Sequence, residues 1–350
     1  MANSSEYVLF VMGNPLLDIQ AKVDEDFLNK YSLKANDAIL AAEHHMPIYD
    51  ELVEKYEVAY VAGGAAQNAA RGAQYLLPPN STVYVGCVSN DSYGEQLRKV
   101  SNAAGLRTEY MITEETATGT CAVLITGHHR SMVTRLCAAE KFSVDHLKKP
   151  EIWKFVEGAK YYYIEGYFLT VSIESILTIA EHAAENNKLF TMNLSAPFLP
   201  TFFKEQMEQT IPYWDIVFGN ESEAEAFAAS QDWETRDVRE IALRIAKLPK
   251  KNTRRSRIVV FTQGTLPTIV VTGEGEVKEY PILPVKPEDI VDTNGAGDAF
   301  CGGFLGVIGD KTDIDISECV KAGHWLAHHC VQRLGPKYPE PEENIKYQPY

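Results

Sequence analysis

The feature that most constrains this chain is an alternation of short apolar runs with helical patterns after residue 158. The apolar runs are predicted strands at residues 161–164, 189–194, 216–218 and 258–262. Between the first two, apolar residues at 173, 176, 177, 180 and 184 keep helical spacing behind Ser172, a typical N-cap residue. Strands that alternate with helices pair in parallel through crossover connections. We therefore predict an α/β fold whose sheet is covered on both faces.

The first 141 residues have a different texture. Residues 7–12 form an apolar run that ends at a Gly-Asn-Pro turn, and residues 82–88 form another, so both are predicted strands. Short alternating segments between residues 107 and 141, including 120–126 and 130–136, predict a small antiparallel sheet. The two textures together predict a large α/β domain that carries a small β lid built from separated segments.

The charge balance argues against two classes of partner. The 350 residues include 48 acidic and 33 basic side chains, a formal net charge of −15. Binding to nucleic acid or to anionic membranes depends on Lys and Arg, so we expect neither. Nowhere do ~18 apolar residues run together as a membrane span requires, and we expect no secretory signal. A small anion such as a nucleotide can still bind where local backbone donors outweigh the overall field.

Cysteine spacing and one basic run bear on the cellular compartment. The six cysteines are scattered without a C-x-x-C pair, which predicts reduced thiols and a cytoplasmic protein. Residues 250–257 (KKNTRRSR) are strongly basic. We predict a solvated loop there, and a nuclear-import signal is the alternative, which leaves a nuclear fraction open. No sequence feature demands an oligomer, so we expect a monomer.

The stretch at residues 292–304 (DTNGAGDAFCGGF) predicts a glycine-rich turn that opens a helix. A helix N-terminus has unpaired N–H groups and a partial positive charge, so it binds anions well. Asp298 would lie in the first turn beside the anion and could accept the proton of an attacking hydroxyl. The alternative is that Asp298 only favours the helix start and that the glycines only make a tight turn.

Other phosphate and metal motifs do not fit. The third glycine position of a dinucleotide fingerprint is occupied by Phe300. No G-x-x-x-x-G-K-[ST] stretch occurs, which excludes a P-loop protein. His324 and His328 have the spacing of a zinc-protease helix, but Trp325 stands where the glutamate is required.

Residues 292–298 (DTNGAGD) resemble the second signature of the ribokinase-like carbohydrate and nucleoside kinases, and residues 63–68 (GGAAQN) resemble the first. The resemblance extends from about residue 7 to residue 340. It is strengthened by five further stretches: 13–18 (GNPLLD), 118–126 (TGTCAVLIT), 166–172 (GYFLTVS), 193–198 (NLSAPF) and 219–225 (GNESEAE).

The resemblance implies a fold and a reaction. The fold is a three-layer α/β/α domain with a central, mostly parallel sheet, formed by residues 1–16, 66–115 and 142–350. A small β-sheet lid with a minor helix is formed by residues 17–65 and 116–141. The reaction is transfer of the ATP γ-phosphoryl group to the 5′-hydroxyl of adenosine, which gives AMP and ADP in purine salvage. ATP and Mg²⁺ are implied, and a requirement for a monovalent cation is left open.

The resemblance also implies roles for single residues. Asp298 would be the general base, and the turn at Gly295 would present the amides of Ala296, Gly297 and Asp298 as an anion hole. Arg130 in the lid would reach the transferring phosphate. Asp18 would hold the ribose hydroxyls, because a carboxylate offers two acceptors to two O–H donors. Further contacts to the nucleoside are implied for Asn14, Gly64 and Asn68 around the ribose, and for Phe168, Leu136, Leu16 and Cys121 around the adenine.

For the second substrate, the resemblance implies a nucleotide site at Asn220, Gln263, Gly264, Asn294 and His324. Asn220 and Glu223 would position Mg²⁺ through water, since Mg²⁺ keeps several waters. The same pair also fits a capping-box helix start, and both roles can hold together. Ala65 departs from the hydroxyl residue found at this position in animal relatives, which we expect to tune affinity only.

Three functions remain in competition at this point. The first is a catalytically competent nucleoside kinase. The second is a kinase for another nucleoside or a sugar. An adenine site lined by Phe168 and Leu136 would argue against free sugars as substrates. The third is a non-catalytic nucleoside sensor on the same fold, since fold does not fix function. A sensor would not need the full set of Asp298, Arg130, Asn220 and Glu223, so we favour the enzyme.

Overall fold

The computed structural model describes residues 7–348 apart from 36, 128, 309–313 and 344. Residues 1–6, 309–313, 344, 349 and 350, which the sequence assigns to the large domain, therefore lie outside the description. The strands, in chain order, are β1 Leu9–Met12, β2 Leu16–Lys22, β3 Ala38–Leu40, β4 Val58–Gly63, β5 Thr82–Val85, β6 Cys87–Ser89, β7 Arg107–Thr108, β8 Met111–Thr113, β9 Thr120–Thr126, β10 His129–Arg135, β11 Tyr161–Glu165, β12 Leu189–Asn193, β13 Ile216–Asn220, β14 Ile258–Gln263, β15 Leu266–Thr272 and β16 Val277–Tyr280.

The helices are joined to these strands by short connections. In chain order they are α1 Glu25–Lys30, α2 Pro47–Lys55, α3 Ala65–Leu76, α4 Ser92–Ala103, α5 Val144–Leu147, α6 Pro150–Gly158, α7 Ile173–Glu185, α8 Phe198–Phe202, α9 Lys204–Thr210, α10 Glu221–Ser230, α11 Val238–Ala246, α12 Ala296–Ile308 and α13 Ile316–Cys330. Ser172 caps α7 by accepting from the Ser175 amide, as the sequence predicts. Among the described residues no helix is long and apolar enough to cross a membrane.

The main sheet has nine strands in the order β16-β15-β14-β13-β12-β11-β1-β5-β7. All pairs from β7 to β14 are parallel, and β15 and β16 add an antiparallel edge. Side chains of β1 alternate between two cores, since Phe10 and Met12 join one cluster while Leu9 and Val11 join the other. Helices α6, α7, α10 and α11 cover the first core, and α3, α4, α12 and α13 cover the second. The predicted three-layer architecture with a mostly parallel sheet is confirmed.

The second sheet has five strands in the order β3-β10-β9-β2-β4. It is mixed, because β2 pairs with β9 and β3 with β10 in parallel, while β9–β10 and β2–β4 are antiparallel. The two segments predicted at 120–126 and 130–136 do pair antiparallel as β9 and β10, but the sheet they belong to is mixed rather than antiparallel. Strands β2 and β9 both leave the large domain in the same direction, which imposes the parallel pairing. One face of this small sheet packs on α1 and α2, and the other faces the main sheet.

The predicted strand at 82–88 divides at Gly86. Its first half, β5, stays in the main sheet, while β6 pairs in parallel with β8 in a separate two-stranded sheet. Periodicity could not show this, because both halves are buried and read as one apolar run.

The basic run at 250–257 is largely folded into the large domain. Lys250 and Arg255 form ion pairs with buried Asp215. Arg257 is 1 % exposed and donates to five backbone carbonyls, those of Ile211, Trp214, Ile245, Leu248 and Pro249. The expectation of a solvated loop is thus wrong for these three cations, because their donors satisfy carbonyls and a carboxylate that the fold buries. Lys251 and Arg254 are exposed.

Candidate active site

A cavity of ≈ 480 Å³ lies between the carboxyl ends of the main-sheet strands and the small sheet. Its size is typical of a site for a small organic ligand, and its place at the strand ends is where α/β sheets bind ligands. The following sequence-predicted residues line it: Asn14, Leu16, Asp18, Gly64, Asn68, Cys121, Arg130, Leu136, Asn220, Glu223, Asn294, Gly295, Ala296, Gly297 and Asp298. Residues far apart in sequence therefore meet at one site.

The glycine-rich turn opens α12 as predicted. Gly295 has φ +77°, and a Cβ there would lie 2.7 Å from Pro336 Cβ, so the turn requires glycine. Ala296 and Gly297 begin the helix with exposed or partly exposed backbone at the cavity wall. The Ala296 amide donates to Thr293 O at 3.3 Å, and the Gly297 amide belongs to the first turn, where N–H groups have no helical partner. The turn thus offers an anion site to the cavity.

Asp298 lies in this first turn and opens into the cavity. Its Oδ2 accepts a hydrogen bond from Asn68 Nδ2 at 2.9 Å. Removal from bulk solvent raises the pKa of Asp298 to about 6, while the Asn68 hydrogen bond and the Arg71 charge act in the opposite direction. A carboxyl with this pKa is ionised at neutral pH and can accept a proton.

Asp18 lies on β2, facing the same cavity. Burial, and next the charge of Asp298, raise the pKa of Asp18 to about 8. A Cβ on Gly63 would lie 2.2 Å from Asp18 Oδ1, so glycine lets β4 approach the carboxyl. Beside it, Asn14 Oδ1 is buried without a hydrogen-bond partner among the described residues. An unpaired buried acceptor and a carboxyl at one cavity wall suit a ligand that brings hydroxyl donors.

Glu165 is a cavity residue that the sequence analysis missed. It ends β11 and is 1 % exposed. Its Oε1 accepts a hydrogen bond from the backbone N–H of Asn14 at 3.2 Å, and its Oε2 accepts one from the backbone N–H of Ala66 at 2.5 Å. Burial raises the pKa of Glu165 to about 8, with the two amide bonds acting the other way and the charge of Asp298 adding to the rise. No local motif points to this role, since its partners are 151 and 99 residues away.

The apolar wall of the cavity differs from expectation at one position. Leu16, Cys121, Met132 and Leu136 pack together with Val123 on the small sheet. On the opposite side, Tyr167 and Phe198 line the cavity with ring centroids 6.2 Å apart.

Phe168 is 0 % exposed, packs on Phe142 in the core and is not part of the cavity wall, so its contact with the adenine stays a prediction. The two aromatics at 167 and 168 lie in a 3-10 turn, where consecutive side chains point in different directions. Tyr167 therefore takes the cavity position and Phe168 the core position.

Arg130 on β10 reaches across from the small sheet to the turn before α12. Its Nε lies 3.0 Å from Asp292 Oδ1, and their side chains are 11 % and 0 % exposed. Asp292 also accepts from the amides of Asn294 at 2.9 Å and Gly335 at 3.0 Å. Arg130 thus lies at the rim of the anion site and is paired with a carboxylate of the glycine-turn segment.

Asn220 and Glu223 form the predicted capping box at the start of α10. Glu223 accepts from Asn220 N at 3.0 Å and from Asn220 Nδ2 at 2.8 Å. Burial raises the pKa of Glu223 to about 7. Among the described residues no group of three or more His, Cys, Asp or Glu side chains could hold a metal ion. A carboxylate and an amide alone fit a hydrated Mg²⁺ whose other ligands come from water and phosphate.

The remaining predicted nucleotide residues are divided in space. Asn294 lines the cavity, whereas Gln263, Gly264 and His324 lie outside its wall. Gln263 donates to Pro267 O at 2.6 Å in the β14–β15 turn, where Gly264 has φ +56°. His324 bonds Thr268 at 2.7 Å, and burial lowers its pKa to about 4, so it is neutral. Of these four residues, Asn294 alone is part of the cavity wall.

A mostly parallel nine-stranded sheet, a small mixed sheet and a carboxyl in the first turn after a glycine turn together define a class of protein. A family model described as pfkB family carbohydrate kinase matches residues 26–343, and the chain belongs to that family. The predicted family resemblance and ribokinase-like fold are thereby confirmed.

Particular relatives are closely similar over the whole chain. Adenosine kinase 2 of Arabidopsis thaliana is 52 % identical over 343 residues, which cover 97 % of this chain and 99 % of that protein. The crystal structure of Anopheles gambiae adenosine kinase in complex with P1,P4-di(adenosine-5) tetraphosphate has a TM-score of 0.92 and 45 % identity, covering 96 % and 99 % of the two chains. Adenosine kinase from Schistosoma mansoni in complex with 2-fluoroadenosine has a TM-score of 0.92 and 39 % identity, covering 97 % and 99 %.

Proposed function

We propose that this protein transfers the γ-phosphoryl group of ATP to the 5′-hydroxyl of adenosine and releases AMP and ADP, as in purine salvage. The observation that carries the proposal is Asp298, held by Asn68 at 2.9 Å in the first turn of α12, directly after the glycine turn at the cavity wall. Relatives named as adenosine kinases match nearly the whole chain, and one is described with a fluorinated adenosine bound.

The acceptor nucleoside occupies the cavity between the two sheets. The ribose lies at Asp18, Asn14, Gly64 and Asn68, where buried oxygen atoms accept hydrogen bonds from its hydroxyl groups. The base lies between the aliphatic cluster that includes Leu136 and the rings of Tyr167 and Phe198. An aromatic face is a good surface for a purine. Cys121 and Leu16 belong to the same apolar wall.

Phosphoryl transfer takes place at the glycine turn. The Asp298 carboxylate accepts the proton of the 5′-hydroxyl as the bond from that oxygen to the γ-phosphorus forms. The bond between the γ-phosphorus and the bridging oxygen breaks, and its electron pair stays on ADP. Amides of Ala296, Gly297 and Asp298 stabilise the charge on the transferring group, because donors fixed by the helix need no reorganisation. Arg130 adds a positive charge at the rim of this site.

The nucleotide lies on the side of Asn220, Asn294 and the β14–β15 turn with Gln263 and Gly264, near buried His324. Asn220 and Glu223 would hold Mg²⁺ through water molecules. When bound, Mg²⁺ supplies charge neutralisation for the phosphate oxygens. The capping box fixes the orientation of the Glu223 carboxyl toward the cavity, so the same two residues start α10 and offer oxygen atoms to a hydrated cation.

Specific contacts favour this function over the two alternatives. A free sugar would leave the apolar wall of Leu16, Cys121, Leu136, Tyr167 and Phe198 without a partner. A sensor would require no ionised base in hydrogen-bond contact with an oriented amide. Both alternatives remain outcomes of the experiment below.

The experiment is ADP release from Mg·ATP with adenosine, inosine, guanosine, ribose and fructose, with AMP identified as the product. We expect turnover with adenosine that far exceeds turnover with the other four. Strong turnover with a sugar would keep the fold and chemistry and overturn the substrate. Adenosine binding without turnover on any acceptor would favour a sensor.

We also propose that the protein is a cytoplasmic monomer that binds no nucleic acid. All six cysteines are free, as in reducing compartments, and the net charge is −15. Folding of Lys250, Arg255 and Arg257 against Asp215 and backbone carbonyls leaves fewer exposed cations for a nuclear-import receptor. Imaging of a fluorescent fusion and sedimentation of the purified chain test these points.

A further inference from the structure

We propose that Arg71, on α3, is a positioning residue that keeps the Asp298 carboxyl ionised by fixing the Asn68 side chain and by its own charge. Arg71 is 7 % exposed and does not line the cavity. The inference rests on the proposed role of Asp298 as the base, and it adds a residue whose effect reaches the reacting atoms through another side chain.

The hydrogen bonds of Arg71 determine which way the Asn68 amide points. Arg71 Nη2 donates to Asn68 Oδ1 at 2.7 Å, and Asn68 Nδ2 donates to Asp298 Oδ2 at 2.9 Å. A reversed amide would place its NH₂ against the guanidinium and its oxygen against the carboxylate, which would break both bonds. The guanidinium therefore selects the amide orientation that stabilises the charged form of Asp298.

Neighbouring segments hold this arrangement in place. Arg71 Nη2 also lies 3.2 Å from the carbonyls of Ala62 and Pro336, so the guanidinium joins β4, α3 and the C-terminal segment. Tyr338 donates to the Asn68 carbonyl at 2.8 Å. The backbone carbonyl of Asn68 is thus held by Tyr338 and its side-chain amide by Arg71, both from outside the cavity. The side-chain amide cannot turn without breaking its bond to Arg71.

The charge of Arg71 matters because removal from solvent disfavours the ionised form of Asp298. Carboxyls approach from three other elements: Asp18 on β2, Glu165 on β11 and Glu223 on α10. Other titratable groups near Asp298 are neutral thiols and phenols: Tyr163, Tyr167, Cys301, Cys330 and Tyr338. Asp292, in the segment before α12, is paired with Arg130.

Arg71 acts against this effect of burial. Among the described residues no carboxylate forms an ion pair with it, and its hydrogen bonds go to uncharged oxygens. Its charge is therefore not neutralised locally, and it lowers the pKa of both Asp298 and Asp18. Burial of Asp298 would otherwise favour its protonated form.

The test is the pH dependence of kcat/KM for adenosine at saturating Mg·ATP, in the wild type and in three Arg71 variants. Arg71→Gln and Arg71→Met both remove the charge, and Met fills the buried space if the Gln variant does not fold. Arg71→Lys keeps the charge but cannot reproduce the planar fork. Ionisation of ATP is common to all variants, so differences between the profiles report the enzyme. Circular dichroism and thermal melting establish that each variant is folded.

We expect the acid limb to move upward by about one pH unit in the charge-removing variants, as for loss of an opposite charge near a carboxyl. Below pH 6 this corresponds to about tenfold lower kcat/KM than in the wild type. In Arg71→Lys we expect an upward shift less than half as large. Arg257→Gln is the matched control, because it removes a buried arginine bonded only to carbonyls and should lower stability without moving the limb.

Two results would overturn the inference. One is an unchanged acid limb in every folded Arg71 variant. The other is a shift in Arg71→Lys as large as in the charge-removing variants, which would make the charge irrelevant. Failure of the proposed function would look different. In that case the wild type itself would show no ATP-dependent turnover of adenosine, or its turnover would persist in Asp298→Asn.

Discussion

Arg130 Nε lies 3.0 Å from Asp292 Oδ1, so a side chain of the small sheet is bonded to the segment that leads into the glycine turn. The Asp292 side chain is fully buried, and it also accepts from the amides of Asn294 and Gly335. The contact couples the position of the small sheet to the shape of the anion site. When the small sheet is closed over the cavity, it excludes water, which would otherwise compete with the acceptor hydroxyl for the phosphoryl group.

This ion pair predicts the behaviour of an Arg130→Gln variant. Loss of one partner leaves the Asp292 charge buried, which costs about 3 kcal/mol in a closed state. Amide hydrogen exchange in residues 120–135 should therefore rise relative to the wild type, while exchange in β12 and β13 should not. Equal exchange in the small sheet of both proteins would show that the pair does not hold the sheet closed.

Ligand binding should have the opposite effect. We expect adenosine to lower proteolysis within residues 17–65 and 116–141, because the nucleoside adds contacts between the small sheet and the cavity floor. The same protease digest with inosine serves as the control. Unchanged cleavage at saturating adenosine would contradict closure of these segments as a lid.

Glu165 predicts a coupled change in stability and affinity. Its two oxygens accept from Asn14 N and Ala66 N, and Gly64 at the start of α3 has no side chain to cap that helix. Glutamine offers one acceptor, so Glu165→Gln should leave one buried N–H unpaired and lower the free energy of unfolding by about 1–3 kcal/mol. KM for adenosine should rise, because Asn14 and Asn68 are attached to the segments that Glu165 joins. Exposed Glu185→Gln is the matched control.

The raised pKa values predict how stability changes with pH. Burial raises the pKa of Glu165 from 4.5 to about 8 and that of Asp18 from 3.8 to about 8. The folded protein therefore binds more protons than the unfolded chain between these values, so the free energy of unfolding falls as pH rises from about 4 to about 8. Urea unfolding at pH 5.5 and pH 8.5 measures this, and Glu165→Gln should reduce the difference. Higher stability at pH 8.5 would reverse the assigned direction.

The two adjacent aromatics after β11 predict different phenotypes. Tyr167→Leu removes a ring from the cavity wall and should raise KM for adenosine about tenfold, with stability little changed. Phe168→Leu leaves space beside Phe142 in the core and should lower stability by about 1 kcal/mol with KM unchanged. Steady-state kinetics and thermal melting of both variants separate the cases. A larger KM effect for Phe168→Leu would instead support the contact between Phe168 and adenine that was predicted from sequence.

Local patterns predicted the elements that depend on nearby residues. The main-sheet strands follow from apolar runs, the Ser172 cap from its place before a helical pattern, and the Asn220–Glu223 capping box from its three-residue spacing. The glycine turn at Gly295 was likewise predictable from local sequence, because its φ of +77° lies in the left-handed region that favours glycine.

Contacts between distant segments could not be predicted in this way. Glu165 bonds amides 99 and 151 residues away, and Lys250 bonds Asp215 across 35 residues. Parallel pairing of β2 with β9 depends on how both strands leave the large domain. The choice between Tyr167 and Phe168 depends on the exact course of an irregular turn, for which hydrophobicity gives no direction.

The central claim is that Asp298 accepts the proton of the adenosine 5′-hydroxyl. It is tested most directly by measuring kcat and the Kd for adenosine of Asp298→Asn beside the wild type. Asparagine keeps the shape of the side chain and an acceptor for Asn68 but cannot take up the proton. We predict that kcat falls at least about 100-fold while the Kd for adenosine changes less than about threefold. A variant that retains wild-type kcat would contradict the assignment of Asp298 as the base.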